Sequence, residues 1–168
     1  MKPGMGRVKG ASFERKIAGM IVKAFASRGI TKKDCYRTPS SGGHRYAKET
    51  DPGDLVLSPE LTKLFPFSIE CKHYRKLDWH KLLTPGAKGH WDNWWKQCLK
   101  ATPTGRYPMV VFQANRSIPF VMFNRDDGVV LGWGEPRGLF LQTAICGVRV
   151  IVVRFAHVLK LQEAKCSS

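Results

Sequence analysis

Two short stretches hold the residues best suited to chemistry: Pro52-Gly53-Asp54 and, after 15 intervening residues, Glu70-Cys71-Lys72. Hydrolysis of a phosphodiester needs a divalent ion to neutralise phosphate charge and activate water, and hard cations such as Mg²⁺ prefer carboxylate and carbonyl oxygens. Asp54 and Glu70 offer the carboxylates, the Cys71 backbone carbonyl offers a further oxygen, and Lys72 offers an amine to orient or deprotonate the attacking water. Paired acids repel one another; Lys72 offsets this in part, and a bound cation does so more fully. Asp51 competes with Asp54, but Asp54 abuts the apolar run Leu55-Val56-Leu57 and is the better placed of the two.

These residues can act together only if neighbouring elements bring them to one edge. In Phe67-Ser68-Ile69-Glu70-Cys71-Lys72 a period of two sends Phe67, Ile69 and Cys71 to a core face. Glu70 and Lys72 then share the opposite face, roughly 7 Å apart along the strand. The turn before Leu55 leads into a second strand with Asp54 at its entrance, and Ser58-Pro59 ends it. Upstream, Ser12 is placed to cap a helix in which Phe13, Ile17, Met20, Ile21, Ala24 and Phe25 recur at spacings of three and four, ended by Gly29. Glu14 would then lie in the first turn, bordering the buried face, where an acid also simply favours the helix dipole. A short strand is expected at Cys35-Tyr36-Arg37, and the Gly-, Ser- and Pro-rich segment from Thr38 to Arg45 reads as a basic loop able to contact phosphate.

Trp91, Trp94, Trp95, Cys98 and Leu99 form a helix-spaced apolar stripe, read as core rather than as a base-stacking platform. Beyond residue 100 the runs 109–113, 119–123, 129–131, 139–141 and 148–153 all read as strands, giving a β-rich C-terminal part. No repeat or low-complexity linker divides the chain, so one domain over residues 1–168 is expected, with 1–10 a flexible basic start.

The 168 residues carry a formal charge of +15, with +9 of it in residues 1–50, +2 in 51–100 and +4 in 101–168. Such a surplus favours a polyanionic partner, and the N-terminal third is the expected contact surface. No apolar stretch reaches the roughly 18–20 residues of a membrane span, and the first residues lack a signal-peptide core. A soluble, intracellular protein without membrane association is expected. Five widely spaced cysteines without a CxxC pair indicate neither a disulfide framework nor a zinc ribbon; Cys71 and His73 alone make a poor zinc site.

The combination Pro52-Gly53-Asp54 and Glu70-Cys71-Lys72, preceded by Gly10-Ala11-Ser12-Phe13-Glu14-Arg15 and Ser40-Ser41-Gly42-Gly43, resembles the PD-(D/E)xK nucleases and, among them, the archaeal-type Holliday junction resolvases. The resemblance covers about residues 9–75, with one departure, Gly53 between the proline and the aspartate. It implies an α/β, restriction-endonuclease-like fold with a mixed central β-sheet flanked by helices. It also implies catalytic roles for Glu14, Asp54, Glu70 and Lys72, with Mg²⁺, or Mn²⁺ in its place, held by Asp54, Glu70, Glu14 and the Cys71 carbonyl. By the same resemblance Arg15, Arg37 and Ser40 or Ser41 lie near DNA; Lys9 and Arg45 join them as basic residues of the N-terminal third. The expected activity is paired cleavage of branched DNA by a homodimer, leaving 5′-phosphate and 3′-hydroxyl ends, with no organic cofactor. Two rivals are a related nuclease of restriction or repair type cutting duplex DNA and a non-catalytic, basic nucleic-acid-binding protein. In the latter Glu70 and Lys72 would be a surface pair worth under about 1 kcal/mol.

Overall fold

The computed structural model describes residues 5–38, 53–84, 89–133 and 141–167. Helix α1 (Met5–Ala24) buries Phe13, Ile17, Ala18 and Ile21 on one side, and Gly29, at φ 78°, ends the 3₁₀ turn that follows it. The helix therefore starts well before Ser12, and residues 5–10 are helical rather than a flexible start. A capping residue marks a helix start only where the preceding chain resists helix, and no proline lies between Pro3 and Pro39. Glu14 consequently sits more than two turns inside α1, beyond the first turn over which the helix dipole acts.

Strands β1 (Cys35–Arg37) and β2 (Leu55–Leu57) pair antiparallel, with Cys35 opposite Leu57. Helix α2 (Pro59–Leu64) is capped by Ser58, whose side chain accepts the Leu61 N–H, with Pro59 in the first turn where its missing N–H is harmless. The main sheet is built from β3 (Phe67–Tyr74), β4 (Tyr107–Ala114), β5 (Phe120–Asn124), β6 (Leu141–Ile145) and β7 (Val148–Arg154), in spatial order β3-β4-β5-β7-β6. Strands β3 and β4 run parallel and the remaining pairs antiparallel, which makes the sheet mixed. A parallel neighbour demands a crossover, and the chain between β3 and β4 supplies it with α3 (Trp79–Leu83) and α4 (His90–Ala101).

Both sheet faces are buried. Ile69, Met109, Val111, Val121, Phe123, Ile151 and Val153 pack with α1 and with α6 (Phe155–Ser167). On the other face Val110, Phe112, Met122, Val150 and Val152 pack with Trp91, Trp94, Trp95 and Cys98 of α4. The result is the expected α/β architecture of a mixed sheet flanked by helices, and the tryptophan stripe is core as its spacing indicates. Trp95 is fully buried, and Trp95→Ala is expected to lower stability by about 3–5 kcal/mol, read from denaturant unfolding.

Two C-terminal segments differ from the sequence reading. Val129-Val130-Leu131 is not a strand: residues Arg125–Val130 form helix α5, started by Asn124, whose side chain accepts the Asp126 N–H at 3.0 Å. Asp126 and Asp127 favour its N-terminus, and Val129 and Val130 are left exposed. Helix α6 closes the chain, burying Phe155, Val158 and Leu159. The expected strand at 139–141 is described from Leu141 onward as β6, while Leu139 and Phe140 lie outside the described residues. Among the described residues no helix is long and apolar enough to cross a membrane.

Candidate active site

β3 is the edge strand of the main sheet, and the chain entering β2 runs beside its free edge. Gly53 forms a parallel bridge to Ile69, and the Asp54 N–H donates to the Ile69 carbonyl at 2.9 Å. Asp54 is fixed at two further points, its Oδ2 accepting the Cys71 N–H at 2.8 Å and its carbonyl the Thr38 N–H at 2.9 Å, while the Thr38 hydroxyl donates to the Gly53 carbonyl at 3.0 Å. Within a strand the N–H and C=O of one residue point to the same side, so the Cys71 carbonyl faces the same edge as its N–H. The intervening Gly53, a departure from the usual motif, has a physical reason here. Its φ is +75°, and a Cβ would stand 2.5 Å from the Ile69 carbonyl oxygen.

Glu70 and Lys72 project from the other face of β3, toward α4. That face is not free of the core, as alternation alone implied: Glu70 is only 3% exposed and is paired in register with Val110 of the α4-side core. The Lys72 Nζ donates to the Glu70 Oε1 at 2.6 Å and to the Gln97 Oε1 of α4 at 2.9 Å. An ammonium has three N–H donors, and with two committed one remains for a substrate oxygen or a water. Gln97 is a site residue that the sequence reading missed; its only signal is its place three residues after Trp94, beside the buried stripe of α4.

Glu14, 8% exposed, is reached by the Arg37 Nε, so α1 and β1 deliver an ion pair to the same edge. Burial, the Glu70 carboxylate and the Glu14 carboxylate push the Asp54 carboxyl up to about 7, against the opposing pull of the Cys71 N–H and Lys72. Burial first, then the charges of Asp54, Glu14 and Glu70, hold the Cys71 thiol well above its ordinary range. Glu14, Asp54, Glu70 and Lys72 are thus brought to one neighbourhood by three segments, α1, the turn entering β2 and β3.

Arg15 and Lys9 are exposed on α1. Ser40, Ser41 and Arg45 lie outside the described residues, as does Asp51.

Among the described residues no cluster of three or more His, Cys, Asp or Glu side chains is gathered as a metal cage. Mg²⁺ does not require one, since it keeps waters and is commonly bound through one or two carboxylates plus substrate phosphate. The donor set at the edge fits that pattern: Asp54 and Glu70 are two hard carboxylates with excess negative charge, and the Cys71 carbonyl faces the same side.

The raised Asp54 carboxyl has a measurable consequence. The unfolded chain ionises this group near 3.8 and the folded chain near 7, so the unfolded state binds fewer protons between those values. The metal-free protein therefore loses stability from this group as pH rises from about 4 to 7, on the order of a few kcal/mol. In EDTA, Asp54→Asn is expected to melt above wild type at pH 8 and to converge with it toward pH 4. Mg²⁺ at pH 8 should raise the melting temperature of wild type more than that of Asp54→Asn.

No curated protein and no solved structure matches the chain. A family model does match, over residues 5–163, and so spans α1, the Asp54 turn, Glu70-Cys71-Lys72 and most of α6. With the motif residues assembled at one sheet edge and that match across nearly the whole chain, the protein belongs to the family described as Phage putative PDDEXK endonuclease.

Proposed function

We propose that the protein is a Mg²⁺-dependent, structure-selective DNA endonuclease that resolves four-way junctions. The observation that carries the hydrolytic part is the meeting of Asp54, Glu70 and Lys72 at the open edge of β3, with the Lys72 ammonium held by Glu70 and Gln97. Asp54, Glu70 and the Cys71 carbonyl would hold the ion, with Glu14 beside them. A bound Mg²⁺ supplies charge neutralisation at the scissile phosphate and a more acidic water, and Mn²⁺ would serve in its place.

The rest falls to the chain's own side chains. Lys72 Nζ, fixed by two acceptors, directs its remaining N–H at the phosphate or the attacking water, where it stabilises charge that grows in the transition state. Arg37, oriented by Glu14, brings a guanidinium to the same edge, suited to a phosphate oxygen. Lys9 and Arg15 on the outer side of α1, with Ser40, Ser41 and Arg45, extend the basic surface along the DNA backbone. Symmetric cutting of two opposed strands calls for two such centres related by a two-fold axis, hence a homodimer acting inside a phage-infected prokaryotic cell, without an organic cofactor.

Equal amounts of a four-way junction and a linear duplex with matching arms, incubated with Mg²⁺ and with EDTA, test this reading. Paired nicks near the branch point, lost in EDTA, are the expected result. Equal cutting of both substrates would instead establish a duplex-cutting nuclease of the same family, and gel-filtration mass tests the dimer.

A further inference from the structure

Beyond Lys72, β3 ends at Tyr74, on the same face and two residues on, roughly 7 Å along the strand. Helix α4 lies against this stretch in the opposite direction. Gln97 meets Lys72 by hydrogen bond, and Trp94, one turn earlier, meets Tyr74 with ring centroids 5.0 Å apart. One turn earlier again, His90 stands 5.2 Å from the Tyr74 ring and nearly parallel to Trp94, at 6.1 Å and 15°. These rings, with Trp91 and Leu77, line an open cleft of about 250 Å³ whose rim carries Lys76 and Asp78. Ligand pockets for drug-sized molecules run to roughly 300–1,000 Å³, so this one has room for a single flat ring system.

We infer that this cleft is a stacking site for one unpaired nucleobase, placed one or two nucleotides from the phosphate at Lys72. Three observations converge on that occupant. Half-buried Tyr74 and exposed His90 present rings at the mouth over the buried Trp91 and Trp94, and aromatic faces favour a planar π-system irrespective of its sequence. The cleft continues the line of Glu70 and Lys72 along β3, and roughly 7 Å corresponds to about two stacked nucleotide steps of 3.4 Å. The chain carries +15, which draws polyanions, and Lys76 stands at the rim to meet the adjoining phosphate. Two such stacking steps need about 6.8 Å between His90 and Trp94. A base therefore enters by an outward turn of His90, which is exposed at the start of α4, opening the space between the rings and uncovering the Trp94 face.

The site rests on the nuclease reading for what passes along Glu70 and Lys72, and it deepens that reading by naming a feature of the substrate. A base inside a duplex must be unpaired and unstacked before it can enter, whereas an unpaired base at a branch, gap or free end is already available. Branched or single-stranded DNA is thereby favoured over uninterrupted duplex.

The test measures binding in EDTA, where cutting plays no part, with a short labelled oligothymidylate and a fully abasic oligomer of the same length. Tyr74→Leu is expected to weaken oligothymidylate binding by roughly 5–150-fold, the loss of one base stack. His90→Ala should weaken it in the same direction, and neither change should affect the abasic oligomer. His90 is exposed, so its truncation leaves the core intact if Tyr74→Leu proves unstable. Oligothymidylate affinities within about twofold of wild type for the folded variants, or equal losses on the abasic oligomer, would overturn the stacking site. Cleavage with Mg²⁺ is scored separately. A wild-type protein that cuts while its variants bind normally sinks the cleft alone; one that never cuts but shows the base-dependent losses keeps the cleft and sinks the nuclease reading.

Discussion

Lys72→Met should lower the Mg²⁺-dependent cleavage rate by about 10²–10⁴-fold while DNA binding changes only a few-fold. The asymmetry follows from the geometry. One ammonium among 28 Lys and Arg contributes little to overall attraction for a polyanion, yet its two hydrogen bonds fix it beside Glu70 at the sheet edge. The same change leaves the buried Glu70 carboxylate without its cation. Removing one partner of a buried pair costs about 3–5 kcal/mol, so the variant should also melt lower than wild type in EDTA. Rates are therefore to be measured at a temperature where circular dichroism shows the variant folded. Binding lost in parallel with cleavage would place Lys72 in the DNA-contact surface rather than in the chemistry.

Gly53→Ala is expected to be nearly as damaging although it removes no functional group. The residue sits at φ +75°, and its added Cβ would face the Ile69 carbonyl oxygen at 2.5 Å and the Ile69 carbonyl carbon at 3.1 Å. That oxygen accepts the Asp54 N–H, so relief must separate the Asp54 turn from β3 one residue before Glu70. Backbone strain of this kind costs about 1–3 kcal/mol, a fall of about 3–10 °C in Tm for a chain of this size. A displacement of about 1 Å at a catalytic group costs about 10²-fold in rate, so turnover should fall further than stability implies. Activity and melting temperature measured on the same preparation check this; wild-type turnover in the alanine variant would mean that the Asp54 turn tolerates movement.

Much of the site was legible because it is local. Asp54 at a strand entrance and Glu70 and Lys72 two residues apart are fixed by turn chemistry and strand alternation, which need no knowledge of distant contacts. The features that were not legible depend on packing between remote segments. Gln97 meets Lys72 only because α4 lies against β3, 25 residues away in sequence, and the alternation of β3 could not reveal that its second face is also covered. Glu14 meets Arg37 from well inside α1 rather than from a first turn, because Ser12 resembles a helix start that the chain does not use. At the C-terminus a three-residue apolar run at 129–131 outweighed the Asn124 cap and the acids after it, and α6 was hidden behind the β-branched run of β7. Short apolar stretches fit helix and strand alike, and tertiary context decides between them.

Glu70→Gln keeps the side chain's shape and removes its charge, and so distinguishes a metal-dependent hydrolytic centre of Asp54, Glu70 and Lys72 from a merely structural ion pair. The measurement is cleavage of labelled junction DNA by wild type and by Glu70→Gln, both verified as folded, across a Mg²⁺ titration with an EDTA control. Wild type should cut only with the metal, and the variant should lose at least about 10²-fold in rate at every Mg²⁺ concentration while still binding the junction. Metal-independent cutting by wild type, or cutting at the wild-type rate by Glu70→Gln, would contradict the assignment.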